Sequence, residues 1–141
     1  MEGGILINEI KQVAIYCRVS TEEQASEGYS ISAQKQTLRQ YANLYGWEVI
    51  DEYIDEGISG KDIKGRPAMQ RMITDVEKRK FQAVLVWKIS RLSRNMLDTL
   101  VLLDKFEEYD VKNFFTRRTL ILVLVARLVV LSFNSWLPLP K

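Results

Sequence analysis

The sequence predicts an α/β protein built on a central, mostly parallel sheet with helices on both faces. Three observations predict it. Three short apolar runs, KQVAIYCRV at 11–19, WEVIDEY at 47–53 and FQAVLVW at 81–87, have the length and the branched and aromatic content of strands. The segments between them place apolar residues at three- and four-residue steps, which is the helical period. The resulting order, strand, helix, strand, helix, strand, helix, is that of parallel strands joined by right-handed crossovers.

Each element has its own signal. The polar stretch STEEQASEGYS at 20–30 leaves the first strand as a loop. Ile31, Gln34, Leu38, Tyr41 and Tyr45 then form one helical face, and Gly46 stops the helix because glycine takes the left-handed conformation without strain. After the second strand, DEGISGKDIKGRP at 55–67 holds three glycines and a proline, so a long mobile loop is expected, carrying Arg66 away from Ser20 until a phosphate arrives. Pro67 suits the first turn of a helix running to about Lys80. The basic segment KISRLSRN at 88–95 follows the third strand, and Leu97, Leu100, Val101 and Phe106 mark a further helix ending near Tyr109. Tyr16 and Trp87 are expected in the core, and Cys17 reads as a small buried hydrophobe.

Composition removes several chemistries. The 141 residues include one cysteine and no histidine, which excludes disulfides within the chain, thiolate metal cages and histidine-based triads or bases. At 47% hydrophobic and 27% charged the chain is ordinary for a folded domain. No secretory signal is expected from the opening residues, so a cytoplasmic location is the expectation. The apolar stretch from Leu120 to Leu131 is interrupted by Arg127 and falls short of the roughly 20 residues a membrane span needs, so no membrane partner is expected. Charge is uneven: residues 1–60 carry 4 basic and 10 acidic groups, whereas 61–94 carry 10 basic and 3 acidic. Such asymmetry suits a polyanionic partner, and equally a solvated basic face.

In parallel sheets ligands bind beyond the carboxyl ends of the strands. Topology alone therefore gathers Arg18, Ser20 and Gln24 after the first strand, Ser59 and Arg66 after the second, and Arg91 and Arg94 after the third. The i, i+3 spacing of Arg91 and Arg94 is expected to put both on one helix face. Arginine pairs bidentately with phosphate oxygens and stays charged at every working pH. Fixed positive charge stabilises a phosphodiester under attack, and Ser20 would be the nucleophile, with no cofactor or metal required. Each element also has a plainer reading: Ser20 as a turn cap, Arg18 as a snorkelling surface residue, Arg91 and Arg94 as a solvated face, and the glycine-rich loop as a connection.

Three stretches in order, AIYCRVSTEEQ at 14–24, IDEGISGKDIKGRPAM at 54–69 and WKISRLSRN at 87–95, resemble the serine recombinases, the resolvase/invertase group, and the spacing around 25–33 is most similar to the large serine recombinases. The resemblance covers about residues 11–112. It implies a resolvase-like catalytic domain for site-specific DNA recombination, in which a serine forms a 5′-phosphoserine link and leaves a 3′-hydroxyl. It implies DNA as partner, and homodimers that assemble to a synaptic tetramer in the full-length protein. Motif by motif, Ser20 resembles the nucleophile; Arg18, Arg66, Arg91 and Arg94 the phosphate-binding arginines; Gln24, Gln34 and Ser59 the supporting polar groups. Ser90 departs from the aspartate many members carry at that place. Two other readings remain: a non-catalytic DNA-binding or dimerisation fragment, and an unrelated phosphate-binding α/β protein, against which the missing GxxxxGK[ST] loop argues.

The family pattern should continue beyond Lys112 through a strand, an Asp-Thr-Ser turn and a long helix. Residues 113–141 do not read that way. Residues 118–123 can be encoded by AGA ACT TTG ATA CTA GTN, which from its third base reads Asn-Phe-Asp-Thr-Ser. A reading-frame shift near Asn113, leaving an aberrant C-terminal segment over 113–141, is therefore expected.

Overall fold

The computed structural model describes residues 9–20, 30–57 and 65–116. Its elements are β1 (Gln12–Val19), α1 (Ile31–Leu44), β2 (Glu48–Glu56), α2 (Pro67–Glu77), β3 (Ala83–Val86), α3 (Ile89–Leu92), α4 (Met96–Glu108) and β4 (Lys112–Phe115). The four strands form one sheet in the order β2-β1-β3-β4, and all three pairings are parallel.

Period-two alternation along β1 divides the core. Val13, Ile15 and Cys17 pack with Leu38 and Ala42 of α1 on one face. Ala14 and Tyr16 pack with Met69, Met72 and Val76 of α2 and Leu102 and Phe106 of α4 on the other. Helices thus cover both faces, and β1 and β3, flanked by a strand on each side, are buried throughout from Val13 and Ala83. The chain moves from β1 one way to β2 and then back across to β3 and β4. Right-handed crossovers place α1 on one face and α2 and α4 on the other.

Helix ends explain where the elements stop. Ser30 Oγ accepts the Ala33 N–H at 3.1 Å and caps α1. At the other end Gly46 takes φ 73°, Gly46 N donates to Asn43 O at 3.1 Å and Trp47 N to Ala42 O at 2.9 Å, the paired bonds of a Schellman motif. The same pair closes α2 through Arg79 (φ 52°) and α4 through Asp110 (φ 60°), although neither is a glycine. Asn95 caps α4, its side-chain oxygen accepting from Leu97 N at 2.9 Å and Asp98 N at 3.2 Å.

Several expectations change. β2 extends three residues past Tyr53, so Asp55 and Glu56 belong to the strand, paired with Arg18 and Val19, and not to the loop. The arginine pair does not share a helix face: α3 ends at Leu92 and Ser93 is extended (φ −161°), which leaves Arg94 beyond the helix and exposed while Arg91 is buried. Arg66 is not carried off on a mobile loop but is fully buried. Trp87 is half-buried, with the Lys88 ammonium 5.0 Å above its ring. β4, Lys112–Phe115, pairs with β3 through Phe115. Among the described residues no helix is long and apolar enough to cross a membrane.

Candidate active site at the carboxyl edge of the sheet

The strand order reverses direction between β1 and β3, and the crevice beyond the carboxyl ends of such a pair is where parallel sheets bind ligands. Ser20 follows the last residue of β1 and is 6% exposed. Arg18 lies two residues earlier on the same side of the strand, with its Cα about 6.6 Å away by strand geometry. Arg91 arrives from the segment after β3. Arg66 arrives from the entry to α2, after β2.

Arg18 and Arg91 hold each other through backbone carbonyls. Arg18 Nη2 donates to Ser90 O at 2.7 Å and its Nε to Arg91 O at 3.3 Å, while Arg91 Nη1 donates back to Arg18 O at 3.2 Å. Gln34 completes this corner from α1: its amide nitrogen donates to Arg18 O at 3.0 Å and its oxygen accepts from Arg18 N at 3.4 Å. The end of β1, and so the position of Ser20, is thereby tied to α1 and to α3. Both side chains are buried, and each guanidinium bonds the other residue's backbone carbonyl, which keeps two positive charges at this edge, an arrangement suited to an anionic ligand.

Arg66 forms the second half of the site. Its Nε and Nη2 both donate to the Tyr16 hydroxyl, at 3.1 and 2.8 Å, and Nη2 also donates to Leu92 O. Its Cζ lies 5.3 Å from the Tyr16 ring centroid. Tyr16 in turn donates to Asp55 Oδ2 at 2.7 Å. Asp55 accepts the Ala68 and Met69 N–H groups at 3.0 and 3.1 Å, which supplies the cap that Arg66 does not give α2. Burial drives the Tyr16 pKa well above its ordinary 10.0, outweighing the attraction of Arg66, so its proton stays in place. Arg66 Nη1 is buried and has no hydrogen-bond partner among the described residues.

The structure therefore brings Ser20, Arg18, Arg66 and Arg91 to one edge, with Gln34 behind Arg18. Arg94 stands apart, exposed two residues beyond the end of α3. Gln24 and Ser59 lie outside the described residues. Tyr16 and Asp55 were not singled out from the sequence; the available signal was the even-numbered series Tyr16, Arg18, Ser20 on one side of β1. Cys17 belongs to the opposite face, and burial pushes its thiol up to about 12, which keeps it protonated and unreactive. Among the described residues no group of three histidine, cysteine, aspartate or glutamate side chains is gathered for a metal ion.

The family described as "Resolvase, N terminal domain" matches residues 13–119. The chain belongs to the resolvase family. The resolvase fold is seen again in the N-terminal catalytic domain of TP901-1 integrase, which aligns with a TM-score of 0.73 and 40% identity over 88% of this chain and 98% of that one. A putative DNA recombinase of Bacillus subtilis (strain 168) is 36% identical over 103 residues, 73% of this chain and 20% of that protein. An uncharacterized immunity region protein 3 of Bacillus phage phi105 is 56% identical over 70 residues, 50% of this chain and 84% of that one. This resolvase-family chain thus spans about a fifth of the Bacillus subtilis relative's length.

Proposed function

We propose that this chain is the catalytic domain of a site-specific DNA recombinase that cuts and rejoins DNA through a 5′-phosphoserine intermediate. The observation that supports the reading is that Ser20 and the buried Arg18, Arg66 and Arg91 all lie where the chain leaves the strands at the carboxyl edge of the sheet, next to its switch point. Ser20 Oγ attacks the scissile phosphorus. The Oγ–P bond forms, the P–O3′ bond breaks, the serine gives up its proton and the departing 3′-oxygen gains one. A 3′-hydroxyl attacking the phosphoserine reverses every step, so the covalent link conserves the phosphodiester energy and no cofactor is called on. The buried arginines stabilise the added negative charge of the five-coordinate phosphorus. Arg94, exposed beyond α3, contacts a DNA phosphate, and Gln24, Gln34 and Ser59 support the phosphate site.

Recombination also asks for homodimers that pair into a synaptic tetramer, and for DNA-reading domains. The exposed Met96, Leu97 and Val101 on α4 support a protein contact. We further propose a reading-frame shift just before or around Asn113, which leaves residues 113–141 as an aberrant C-terminal segment. Sequencing the coding DNA decides it, because codons that do not support the displaced frame across 114–130 refute it.

Covalent trapping tests the function. The chain at high concentration is incubated with end-labelled DNA, denatured, and its adduct digested to identify the linked residue. The expected result is phosphoserine at position 20, absent in Ser20→Ala, while the weak DNA affinity of Ser20→Ala stays at the wild-type value. An adduct that survives in Ser20→Ala refutes the assignment. DNA binding without any adduct from the wild type makes the chain a non-catalytic DNA-binding or dimerisation fragment.

A further inference from the structure

The two edges of the sheet are built differently. β2 closes one side, and backbone groups along it are already taken by side chains. Glu52 N donates to Asp51 Oδ1 at 2.8 Å, and Glu52 O accepts from Arg71 Nη2 at 3.1 Å. Val49 pairs with Val13 and Asp51 with Ala14, so Ile50 has no partner opposite it and a bulge bends this edge. Glu48, Asp51, Glu52 and Glu56 add negative charge along it. Bulges and charges of this kind keep an edge from pairing with another strand.

β4 closes the other side and carries none of these guards. Among the described residues it has a strand on one side only. Its pairing with β3 runs from Lys112 to Phe115 without a bulge, and Lys112 is the one charged residue in it. Lys112 N donates to Gln82 O and Thr116 N to Val86 O, both at 3.0 Å. Backbone direction alternates along a strand, so Asn113 and Phe115 turn their N–H and C=O groups away from β3. Phe114 is half-buried on the α1 face, its ring 5.1 Å from that of Trp47.

From the contrast between these edges we infer that β4 is the contact for a second copy of this chain, paired antiparallel about a two-fold axis at Phe114. The register follows from the strand itself. Asn113 of each copy lies opposite Phe115 of the other, and the two exchange N–H···O bonds through the groups that point outward. Phe114 meets its own copy at the close, non-hydrogen-bonded position, which carries the Phe114–Trp47 aromatic row across the axis. Lys112 lies opposite Thr116, so no like charges face each other. The pairing is self-complementary, and the guarded β2 edge stops the assembly at two copies instead of a fibre. A contact this short makes a weak dimer that forms as concentration rises. It is separate from the α4 contact offered for recombination and does not depend on Ser20 attacking DNA.

Cross-linking and sedimentation of the full chain test this. Phe114→Cys sets two thiols at the axis, where the Cα atoms of such a pair lie about 4.5 Å apart, within the range of a disulfide. Under a mild oxidant it forms a covalent dimer, whereas Ile50→Cys on the guarded edge does not; Cys17 is buried and takes no part. Sedimentation of the wild type over a concentration series shows monomer and dimer only. Asn113→Pro removes an outward N–H from each copy and none that bonds β3, so the dissociation constant of its dimer rises about tenfold. Leu97→Glu on α4 leaves the dimer unchanged. If Asn113→Pro fails to fold, the Phe114→Cys cross-link decides. A wild type that stays monomeric at every concentration, as it would with a segment of its own chain along β4, overturns the inference. So do larger assemblies, a dimer that Leu97→Glu breaks, or a dimer that Phe114→Cys does not link. The Ser20 adduct is read separately, and its absence refutes the recombinase reading while leaving this contact to the cross-link.

Discussion

Asp55→Ala is the substitution that most directly probes how the site is held. Asp55 is 2% exposed and accepts three hydrogen bonds, from the Tyr16 hydroxyl and from the Ala68 and Met69 N–H groups. Alanine removes the cap of α2, worth about 1 kcal/mol. It also leaves the buried Tyr16 hydroxyl without its acceptor, at about 1–3 kcal/mol. The expected loss is therefore about 2–4 kcal/mol, more than any surface substitution produces. For a chain of this size each kcal/mol moves the melting temperature by roughly 4 °C, so a fall of about 8–16 °C is expected. Urea unfolding followed by circular dichroism at neutral pH measures it, with an unchanged m-value indicating that the unfolded state is unaffected. Asp55→Asn, which keeps one acceptor oxygen, should lose about half as much. A loss below about 0.5 kcal/mol for Asp55→Ala refutes the reasoning, because the cap and the Tyr16 bond would then contribute nothing.

Other outcomes follow from the same geometry. Arg94→Ala should leave stability unchanged within about 0.5 kcal/mol yet reduce the salt slope of DNA binding by about one unit, whereas Arg91→Ala should lower stability as well; titrations at two salt concentrations beside urea melts separate the two. Cys17 should react with a thiol reagent only as the protein unfolds, so its labelling rate should rise with urea; rapid labelling of the native chain contradicts its burial. Burial disfavours the charged form of Asp75, but hydrogen bonds from Tyr53 (2.5 Å) and Lys80 (3.1 Å) outweigh it and hold the carboxyl below its ordinary 3.8. The folded pKa lies below the unfolded one, so this stabilisation is present above the unfolded value and disappears as pH falls through the folded value. Urea midpoints at pH 6 and pH 3 should therefore converge in Asp75→Asn relative to wild type.

The strand and helix order was legible because burial imposes period two on strands and near-four periodicity on helices, and both patterns survive in residues such as Val13, Ile15 and Cys17 or Gln34, Leu38 and Ala42. The carboxyl-edge placement of Ser20, Arg18 and Arg91 was legible for the same reason, since parallel topology alone decides which loops share an edge. Gly46 announced the end of α1. Arg79 and Asp110, in the same left-handed conformation, did not, because at those positions two backbone hydrogen bonds, and not the side chain, stabilise the turn.

Only the tertiary structure decided the rest. Whether an arginine is solvated or buried depends on acceptors from other elements: Arg66 is buried because Tyr16 and the Leu92 carbonyl, 50 and 26 residues away, meet it. Arg94 stays outside because Ser93 turns extended one residue after α3. β4 joined the sheet although its run is short, since β3 offered an unpaired edge to Lys112–Phe115. Local sequence carries periodicity and caps, whereas hydrogen-bond partners across long sequence separation exist only after the chain has closed upon itself, and the burial of Arg66 belongs to that second kind.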